Sequence, residues 1–386
     1  MQTSEPFIPF ARPDTGEEEI DAVARVLRSG WLSTGPETRA FETEFANFLG
    51  GGLHAIAVNS ATAALHLALE AIGIGPGDEV IAPTLTFTAT VEVARYLGAD
   101  AVLVDVDPIT LNMDSAKVEA AITPRTKAIL PVHYSGLACD MDAIFAIAQR
   151  HQLQVVEDAA HALPATYRGQ TIGQLGSAAT AFSFYANKTM TTAEGGMIVT
   201  RDVDLAARMR VMRLHGISRD VFDRFQSTTP GWYYEIIAPG FKYNMPDISG
   251  ALGRVQLRRL PGFLDRRQKM AARYLQELRD LPLVLPADAP AGETHAWHMF
   301  VIRLSEAARL TRDQVIQALS DAGIGTSVHY LPLHRQPYWR DRYGLRNEQF
   351  PVADDAYERM ISIPLYTAMS DDEQGRVIAA LHAILS

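Results

Sequence analysis

The first 200 residues alternate short apolar runs with segments of helical periodicity, and this alternation constrains the fold more than any other feature of the chain. Seven runs have the length and composition of strands, at 55–58, 79–82, 101–104, 128–132, 153–158, 179–184 and 196–200. Helical segments separate most of them, and a strand–helix–strand connection favours parallel neighbours. We therefore predict an α/β protein whose large domain has a mainly parallel seven-stranded sheet between helices, with some antiparallel pairs left open.

The character of the chain changes near residue 250. A long amphipathic helix is predicted around residues 257–264, and it is followed by a strand at 297–302 and helices at 311–322 and 371–385. A chain of 386 residues is long enough for two globular parts. We predict a large domain over 1–250 and a smaller α+β C-terminal domain over 251–386.

Charge and cysteine content argue against several classes of protein. The formal net charge is -10, whereas binding to a nucleic-acid backbone depends on clustered Lys and Arg. Cys139 is the single cysteine, so an internal disulfide or a CxxC pair is impossible, as is typical of a reducing cytoplasm. The first residues lack a signal-peptide pattern, no apolar segment reaches membrane length, and no metal-binding motif is present. We expect a cytoplasmic protein without nucleic-acid, membrane or metal partners.

Lys188 and Asp158 together indicate a cofactor site. Lys188 lies between the predicted strand at 179–184 and the flexible segment 194–196, and Asp158 ends an earlier predicted strand, where open α/β sheets bind their ligands. A lysine forms an imine with the aldehyde of pyridoxal phosphate (PLP), while a carboxylate keeps the pyridine nitrogen protonated so that the ring accepts electrons. Considered singly, a lysine is more often a solvated surface residue, and an aspartate at a strand end is more often a helix cap. The pair predicts a PLP site with Lys188 and Asp158 as catalytic residues.

The phosphate of PLP needs hydrogen-bond donors, and two segments offer them. Ala61 and Thr62 begin a predicted helix after a short strand, where backbone N–H groups and the helix dipole favour an anion. Ser183, five residues before Lys188, is a further candidate. A simple helix N-cap is the alternative for Thr62 and Ser183. Phe87 is a candidate for stacking on the cofactor ring, with a place in the core as its alternative.

Two histidine positions are further candidates among the eleven histidines of the chain. His161 follows Asp158 by three residues, which suits a side chain that orients the acid or covers the cofactor. A structural histidine in the core is equally consistent with this spacing. His329 and Tyr330 follow the glycine-containing segment 323–328 and are candidates for contact with a substrate.

Seven motifs in order along the chain resemble one known family. They are WLSTGP at 31–36, SATAAL at 60–65, PTLTF at 83–87, EDAAH at 157–161, FSFYANK at 182–188, EGG at 194–196 and GFKYN at 240–244. This pattern resembles the PLP-dependent nucleotide-sugar aminotransferases of the DegT/StrS type, which have the aspartate aminotransferase fold, PLP fold type I. The resemblance covers essentially the whole chain.

The resemblance implies roles for the candidate residues. Lys188 would carry the cofactor, Asp158 would hold its ring nitrogen, and the remaining cofactor-binding residues would be Ala61, Thr62, Phe87, His161, Ser183 and Asn244. In the family, the asparagine that corresponds to Asn244 reaches the phosphate of the neighbouring subunit. A homodimer with shared active sites is therefore expected.

The segments 215–220, 232–235 and 242–244 most resemble the branch that aminates a 4-keto sugar on a UDP carrier, which includes the 4-amino-4-deoxy-arabinose enzyme. Candidate substrate residues in this branch are Trp31, Arg219, Arg224, Lys242, His329 and Tyr330. The three cationic residues in that set are candidate partners of the nucleotide diphosphate, with solvated surface positions as the alternative.

The expected reaction is a ping-pong transamination. Glutamate donates its amine, 2-oxoglutarate leaves, and the amine passes to a keto group on a nucleotide-linked sugar in polysaccharide or lipopolysaccharide sugar biosynthesis. A dehydratase branch of the same family is one alternative, but it replaces the lysine with histidine, so Lys188 disfavours it. A non-catalytic regulator that kept the fold is the other alternative, and it has no need of Lys188, Asp158 and the phosphate donors together.

Overall fold

The computed structural model describes residues 6–218 and 233–386. Its strands are β1 (His54–Val58), β2 (Glu79–Pro83), β3 (Asp100–Val104), β4 (Thr126–Ile129), β5 (Gln154–Asp158), β6 (Thr166–Tyr167), β7 (Gln170–Thr171), β8 (Ala179–Ser183), β9 (Gly196–Thr200), β10 (Leu283–Val284), β11 (Phe300–Leu304) and β12 (Met360–Ile363). Seven of them form the central sheet in the order β1-β9-β8-β5-β4-β2-β3.

The central sheet is mainly parallel, which confirms the predicted α/β class. Strands β3, β2, β4, β5 and β8 pair in parallel, whereas β9 runs antiparallel to both β8 and β1. The predicted strand at 128–132 instead spans Thr126–Ile129. Its predicted end was wrong: the strand ends at Ile129, Pro131 has no N–H to donate to a further ladder, and Val132 makes only an isolated bridge with Asp158.

The helices are α1 (Glu17–Ser29), α2 (Pro36–Phe48), α3 (Ala61–Ala71), α4 (Ala89–Tyr96), α5 (Ser115–Ala120), α6 (Met141–His151), α7 (Val203–Met212), α8 (Asp247–Glu277), α9 (Arg312–Asp321), α10 (Pro337–Tyr343), α11 (Pro351–Arg359) and α12 (Asp371–Leu385). The predicted helices at 311–322 and 371–385 correspond to α9 and α12. No described helix combines the length and the apolar character that crossing a bilayer requires.

The C-terminal part packs around the antiparallel sheet β10-β11-β12. Its core contains residues of α8, α9 and α12 together with Ile8. Ile8 comes from the N-terminal end of the chain and forms an isolated bridge with Ile324. The predicted domain boundary near residue 250 falls in the first turn of α8, whose 31 residues pack against α1 and α2 on one side and reach the C-terminal core on the other. The division into domains stays a prediction.

The register of the sheet brings distant loops to one edge. Gly196 of β9 lies opposite Val58 of β1 and opposite Ser183 of β8, while Asp158 of β5 lies opposite Ala181 of β8. The residues that follow β1, β5 and β8 therefore meet at the carboxyl edge of the parallel strands, which is where open α/β sheets bind ligands.

Candidate active site

A cavity of about 360 Å³ opens at this edge of the sheet. Its walls contain most of the residues singled out from the sequence, namely Ala61, Thr62, Phe87, Asp158, His161, Ser183, Lys188, His329 and Tyr330. They come from the start of α3, the loops after β2, β5 and β8, and the C-terminal part. Residues as far apart in the sequence as Ala61 and Tyr330, 269 positions, thus line one cavity.

Lys188 lies in the loop between β8 and β9, where its backbone N–H donates to the Tyr185 carbonyl at 3.0 Å. The residue lines the cavity and is only partly exposed. Burial lowers the pKa of its amine to about 8, and the negative charge of Asp158 partly offsets that effect. A substantial fraction of the amine is therefore neutral near physiological pH, as a nucleophile and proton carrier requires.

Asp158 is buried at the end of β5, and each of its oxygens accepts a hydrogen bond. Thr90 Oγ1 donates to Oδ2 at 2.8 Å, and the Ala160 N–H donates to Oδ1 at 3.1 Å. Burial raises the pKa of Asp158, while the two hydrogen bonds and the nearby charge of Lys188 lower it. The carboxylate therefore has fixed oxygens in a place where an uncompensated charge is costly.

The start of α3 forms an anion-binding corner. Ser60 is the N-cap and its hydroxyl accepts the Ala63 N–H at 3.1 Å, so the N–H groups of Ala61 and Thr62 in the first turn have no partner within the helix. Ser183 lies beside this corner through the register with Gly196. The cap is thus Ser60, and Thr62 and Ser183 both line the cavity, where the Ser183 hydroxyl accepts the Tyr185 N–H at 3.4 Å.

Aromatic rings close the other side of the cavity. The Phe87 ring, 57% exposed, lies with its centroid 5.8 Å from that of Tyr330. His161 Nε2 and the Tyr330 hydroxyl lie 3.1 Å apart. The His161 ring also packs against His298, with centroids 4.5 Å apart.

The histidines that line the cavity, His161 and His329, are electrically neutral, as is His298, which packs against His161. Burial lowers the pKa of His161 and His298 well below the usual value, and the charge of Lys188 adds to the effect. Burial lowers the pKa of His329 to about 4, and His329 Nδ1 lies 2.8 Å from the Ser362 hydroxyl. These rings therefore serve as uncharged hydrogen-bonding and packing groups, and the cationic group among these cavity residues is Lys188.

Other predicted residues lie elsewhere or beyond the described ranges. Asn244 lines a separate cavity of about 500 Å³, where its Nδ2 donates to Thr34 Oγ1 at 2.7 Å and its Oδ1 accepts from Lys242 Nζ. Trp31 Nε1 donates to the Thr34 carbonyl at 3.2 Å. Arg219, Arg224 and the motif residue Trp232 lie outside the described residues. Within one chain, Trp31, Lys242 and Asn244 do not line the cavity of Lys188, and their roles stay predictions.

Several residues that line or support this cavity were missed from the sequence. Thr90 binds Asp158 directly, and His298 packs behind His161. The signal for Thr90 was its place in the first turn of a helix that follows β2, but nothing local to it shows that Asp158 is the partner. Asn187 was left without a role, and its Oδ1 is buried with no hydrogen-bond partner.

The cavity fits PLP. It combines an amine of lowered pKa, a buried carboxylate and free N–H groups at a helix start, which match the aldehyde, the ring nitrogen and the phosphate of the cofactor. Two buried atoms on its lining residues, His161 Nδ1 and Asn187 Oδ1, have no hydrogen-bond partner in the protein and offer polar groups to a ligand. Fold and site together define a PLP-dependent enzyme of fold type I.

Comparison with known proteins narrows this class. The chain belongs to the DegT/DnrJ/EryC1/StrS aminotransferase family, whose pattern matches residues 13–382. It is 48% identical over 387 residues to the spore coat polysaccharide biosynthesis protein SpsC of Bacillus subtilis, with 100% of this chain and 99% of the relative covered. The protein is therefore a PLP-dependent aminotransferase.

Solved structures agree with this assignment. The putative sugar aminotransferase Spr1654 of Streptococcus pneumoniae in its PLP form superposes with a TM-score of 0.90 at 35% identity, covering 98% of this chain and 100% of that chain. PseC of Helicobacter pylori, an aminotransferase involved in the biosynthesis of pseudoaminic acid, has a TM-score of 0.90 at 26% identity, covering 98% and 99%. The predicted family, fold type and cofactor are confirmed.

Proposed function

We propose that the protein transfers the amino group of glutamate to a keto group of a nucleotide-linked sugar, with a UDP-4-keto sugar as the substrate class, in the synthesis of a polysaccharide precursor. The observation that carries the proposal is the single cavity that holds Lys188, Asp158 and the start of α3 together. The pathway is supported by the names of two similar proteins, the polysaccharide biosynthesis protein SpsC and PseC, an aminotransferase involved in the biosynthesis of pseudoaminic acid. The UDP-4-keto class rests on the resemblance of the segments 215–220, 232–235 and 242–244 to the UDP-sugar branch.

PLP, when bound, supplies an electron sink that stabilises negative charge at the carbon bearing the amine. Lys188 provides the amine that holds the cofactor, and its pKa of about 8 suits it to take up and release protons at the reacting carbon. Asp158 would pair with the protonated ring nitrogen and stabilise its positive charge. The N–H groups of Ala61 and Thr62 and the hydroxyl of Ser183 bind the phosphate.

Neutral side chains on the remaining wall can form hydrogen bonds with a sugar. His161, His329 and Tyr330 all have pKa values that burial moves toward the uncharged form. Such groups donate hydrogen bonds to sugar hydroxyls and accept hydrogen bonds from them. In this proposal, His329 and Tyr330 contact the sugar, while His161 lies beside the cofactor.

A half-reaction experiment tests the substrate class. Enzyme in the pyridoxamine phosphate form is mixed with UDP-, GDP- and dTDP-linked keto sugars, and absorbance follows the return of the PLP form. A UDP-linked 4-keto sugar should restore the PLP band fastest, and glutamate should drive the reverse change. Lys188→Ala should abolish both changes. If simple 2-oxo acids other than 2-oxoglutarate restore the band while no nucleotide sugar does, the substrate proposal is wrong.

The proposal includes a homodimer with shared active sites. Asn244 lines a cavity separate from that of Lys188, yet Thr34 and Lys242 hold its amide rigidly, as a group that serves a neighbouring subunit would require. Such a site is incomplete in one chain. Phe87 and Tyr185, both exposed at the mouth of the Lys188 cavity, are apolar surface that a second copy would cover.

Subunit complementation tests this arrangement. Lys188→Ala and Asn244→Ala proteins are co-refolded, since each mixed dimer then contains one site with both wild-type residues. Activity should exceed that of either variant alone. Lys188→Ala mixed with Asp158→Asn is the matched control, because both residues belong to the cavity of one chain and no intact site forms. Equal activity in the two mixtures would exclude a shared site.

A further inference from the structure

Thr90 is a buried threonine whose hydroxyl serves a distant partner. It lies in the first turn of α4 and is fully buried, and its Oγ1 donates to Asp158 Oδ2 at 2.8 Å. A threonine hydroxyl in a helix commonly bonds a backbone carbonyl of the preceding turn. The Thr90 hydroxyl instead reaches a carboxylate that lies 68 positions away in the sequence.

A second hydroxyl fixes the direction of this bond. Thr86 Oγ1 lies 2.7 Å from Thr90 Oγ1, and Thr86, which is 2% exposed, lines the cavity. An ionised carboxylate only accepts hydrogen bonds, so the Thr90 proton must point to Asp158. The Thr86 hydroxyl must then donate to Thr90. The result is a chain of donors, Thr86 to Thr90 to Asp158, that ends on the carboxylate.

We propose that Thr90 is a positioning residue that keeps Asp158 ionised and oriented toward the ring nitrogen of the cofactor, and that Thr86 fixes the direction of the Thr90 hydroxyl. This inference rests on the role of Asp158 in the proposed function. Thr90 acts through the carboxylate and needs no contact of its own with the cofactor.

The need for such a donor follows from the surroundings of Asp158. The carboxylate is 5% exposed, and its burial raises its pKa, which favours the neutral acid. The hydrogen bond from Thr90 opposes this more than the other contributions do, ahead of the Ala160 N–H and the charges of Lys188 and His133. Tyr330 also faces the carboxylate, and its own pKa is raised in part by that charge.

Loss of the donor has a definite consequence for the proton between Asp158 and the ring nitrogen. Without Thr90, Asp158 is a stronger base, so the shared proton moves from the nitrogen to the carboxylate. No proton is gained or lost by the pair. The ring becomes less positive, and a less positive ring accepts electrons less well. Turnover should fall while substrate affinity stays close to its wild-type value.

The experiment reads the proton position directly. Cofactor-free protein is loaded with PLP labelled with ¹⁵N in the ring, and the ¹⁵N chemical shift reports protonation of that nitrogen. Thr90→Val, which keeps the shape but removes the hydroxyl, should move the shift toward the unprotonated value. It should lower kcat by about ten- to a hundredfold, the worth of one hydrogen bond to a charged group, with KM little changed. Thr90→Ser should restore both quantities.

Two further variants separate this role from a general effect of a buried hydroxyl. Thr86→Val leaves the bond to Asp158 in place and should move the ¹⁵N shift in the same direction by less. Thr200→Val is the matched control, because Thr200 is equally buried but its hydroxyl donates to the Ala178 carbonyl at 2.7 Å, away from the site. It should leave the ¹⁵N shift unchanged.

Each outcome decides between the possibilities. A wild-type ¹⁵N shift and kcat in Thr90→Val would overturn the inference. If that variant does not fold, Thr90→Cys, whose thiol is a weaker donor, is measured in its place and must show the same displacement. Asp158→Asn tests the underlying role. If Asp158→Asn changes the shift and Thr90→Val does not, only the Thr90 inference fails, whereas an unchanged shift in Asp158→Asn removes the proposed role of Asp158 itself.

Discussion

Replacement of Gly196 by alanine should weaken cofactor binding by displacing the start of α3. Gly196 lies in β9 between Val58 and Ser183. A Cβ built there would lie 2.7 Å from the C and O atoms of Ser60 and 2.8 Å from Ala61 N, all of them backbone atoms. Ordinary contact begins at 3.4 Å, so the helix start must move by about 0.7 Å.

This displacement is large on the scale of a hydrogen bond. The N–H groups of Ala61 and Thr62 are the proposed phosphate donors, and a hydrogen bond to a charged group contributes about 1.5–3 kcal/mol. Loss of one such bond raises the Kd for PLP by about ten- to a hundredfold. The overpacking itself should lower the free energy of unfolding of cofactor-free protein by about 1–3 kcal/mol.

The assay is titration of cofactor-free Gly196→Ala with PLP, followed by absorbance, together with urea unfolding of the same sample. Gly75→Ala is the matched control, because a Cβ on Gly75 would meet nothing within 4 Å. It should bind PLP as the wild type does. An unchanged Kd in Gly196→Ala would refute the assignment of the start of α3 as the phosphate site, provided that the unfolding data show a folded protein.

Three further predictions follow from individual side chains. With a pKa of about 8, Lys188 has about 300 times more neutral amine at pH 7 than a lysine with the usual pKa of 10.5. The rate at which cofactor-free protein binds PLP covalently should therefore rise with pH and level off above about pH 8. A rate that continues to rise up to pH 10 would contradict the lowered pKa. Asp247 accepts hydrogen bonds from the backbone N–H groups of Gly35 and Thr38 at the start of α2, at 2.7 and 3.0 Å. Asp247→Ala should therefore lower the free energy of unfolding, measured with urea, by about 2 kcal/mol. A loss of less than half of that would argue that Asp247 does not cap α2. Gly262 is an exposed residue of α8 with open space around its Cβ position, so Gly262→Ala should raise the free energy of unfolding by about 0.5–1 kcal/mol, and a loss of stability would show that the helix is strained there.

Most strands and helices were predictable because their patterns are local. A short apolar run bounded by turn or helix signals is typical of a buried strand, and seven such runs became the seven strands of the central sheet, of which β9 is antiparallel to its neighbours. The predicted strand at 297–302 instead begins at Phe300, since residues 297–299 are held by contacts with other segments. The His298 N–H donates to the Ser135 carbonyl, and Arg267 donates to the Trp297 carbonyl. Such contacts leave no trace in the local pattern.

The active-site residues divide along the same line. Lys188 and Asp158 could be proposed from the sequence because their residue types and flanking motifs are typical of a PLP site. Thr90 and His298 were missed, since a buried threonine and a histidine are ordinary until a partner is seen, and their partners lie far away in the sequence. The roles of Asn244 and Lys242 stay predictions, because one chain places them in a different cavity.

The amino-acid sequence alone determined the α/β class, the family and the cofactor, and it singled out the two residues proposed to carry the chemistry, because periodicity and ordered motifs are properties of neighbouring residues. Only the tertiary structure decided the electrostatics of the site. The lowered pKa of Lys188, the neutral histidines and the donor chain onto Asp158 all arise from burial and from contacts across the sheet. Desolvation and hydrogen bonding depend on which atoms surround a group, and that is settled only when distant segments pack together.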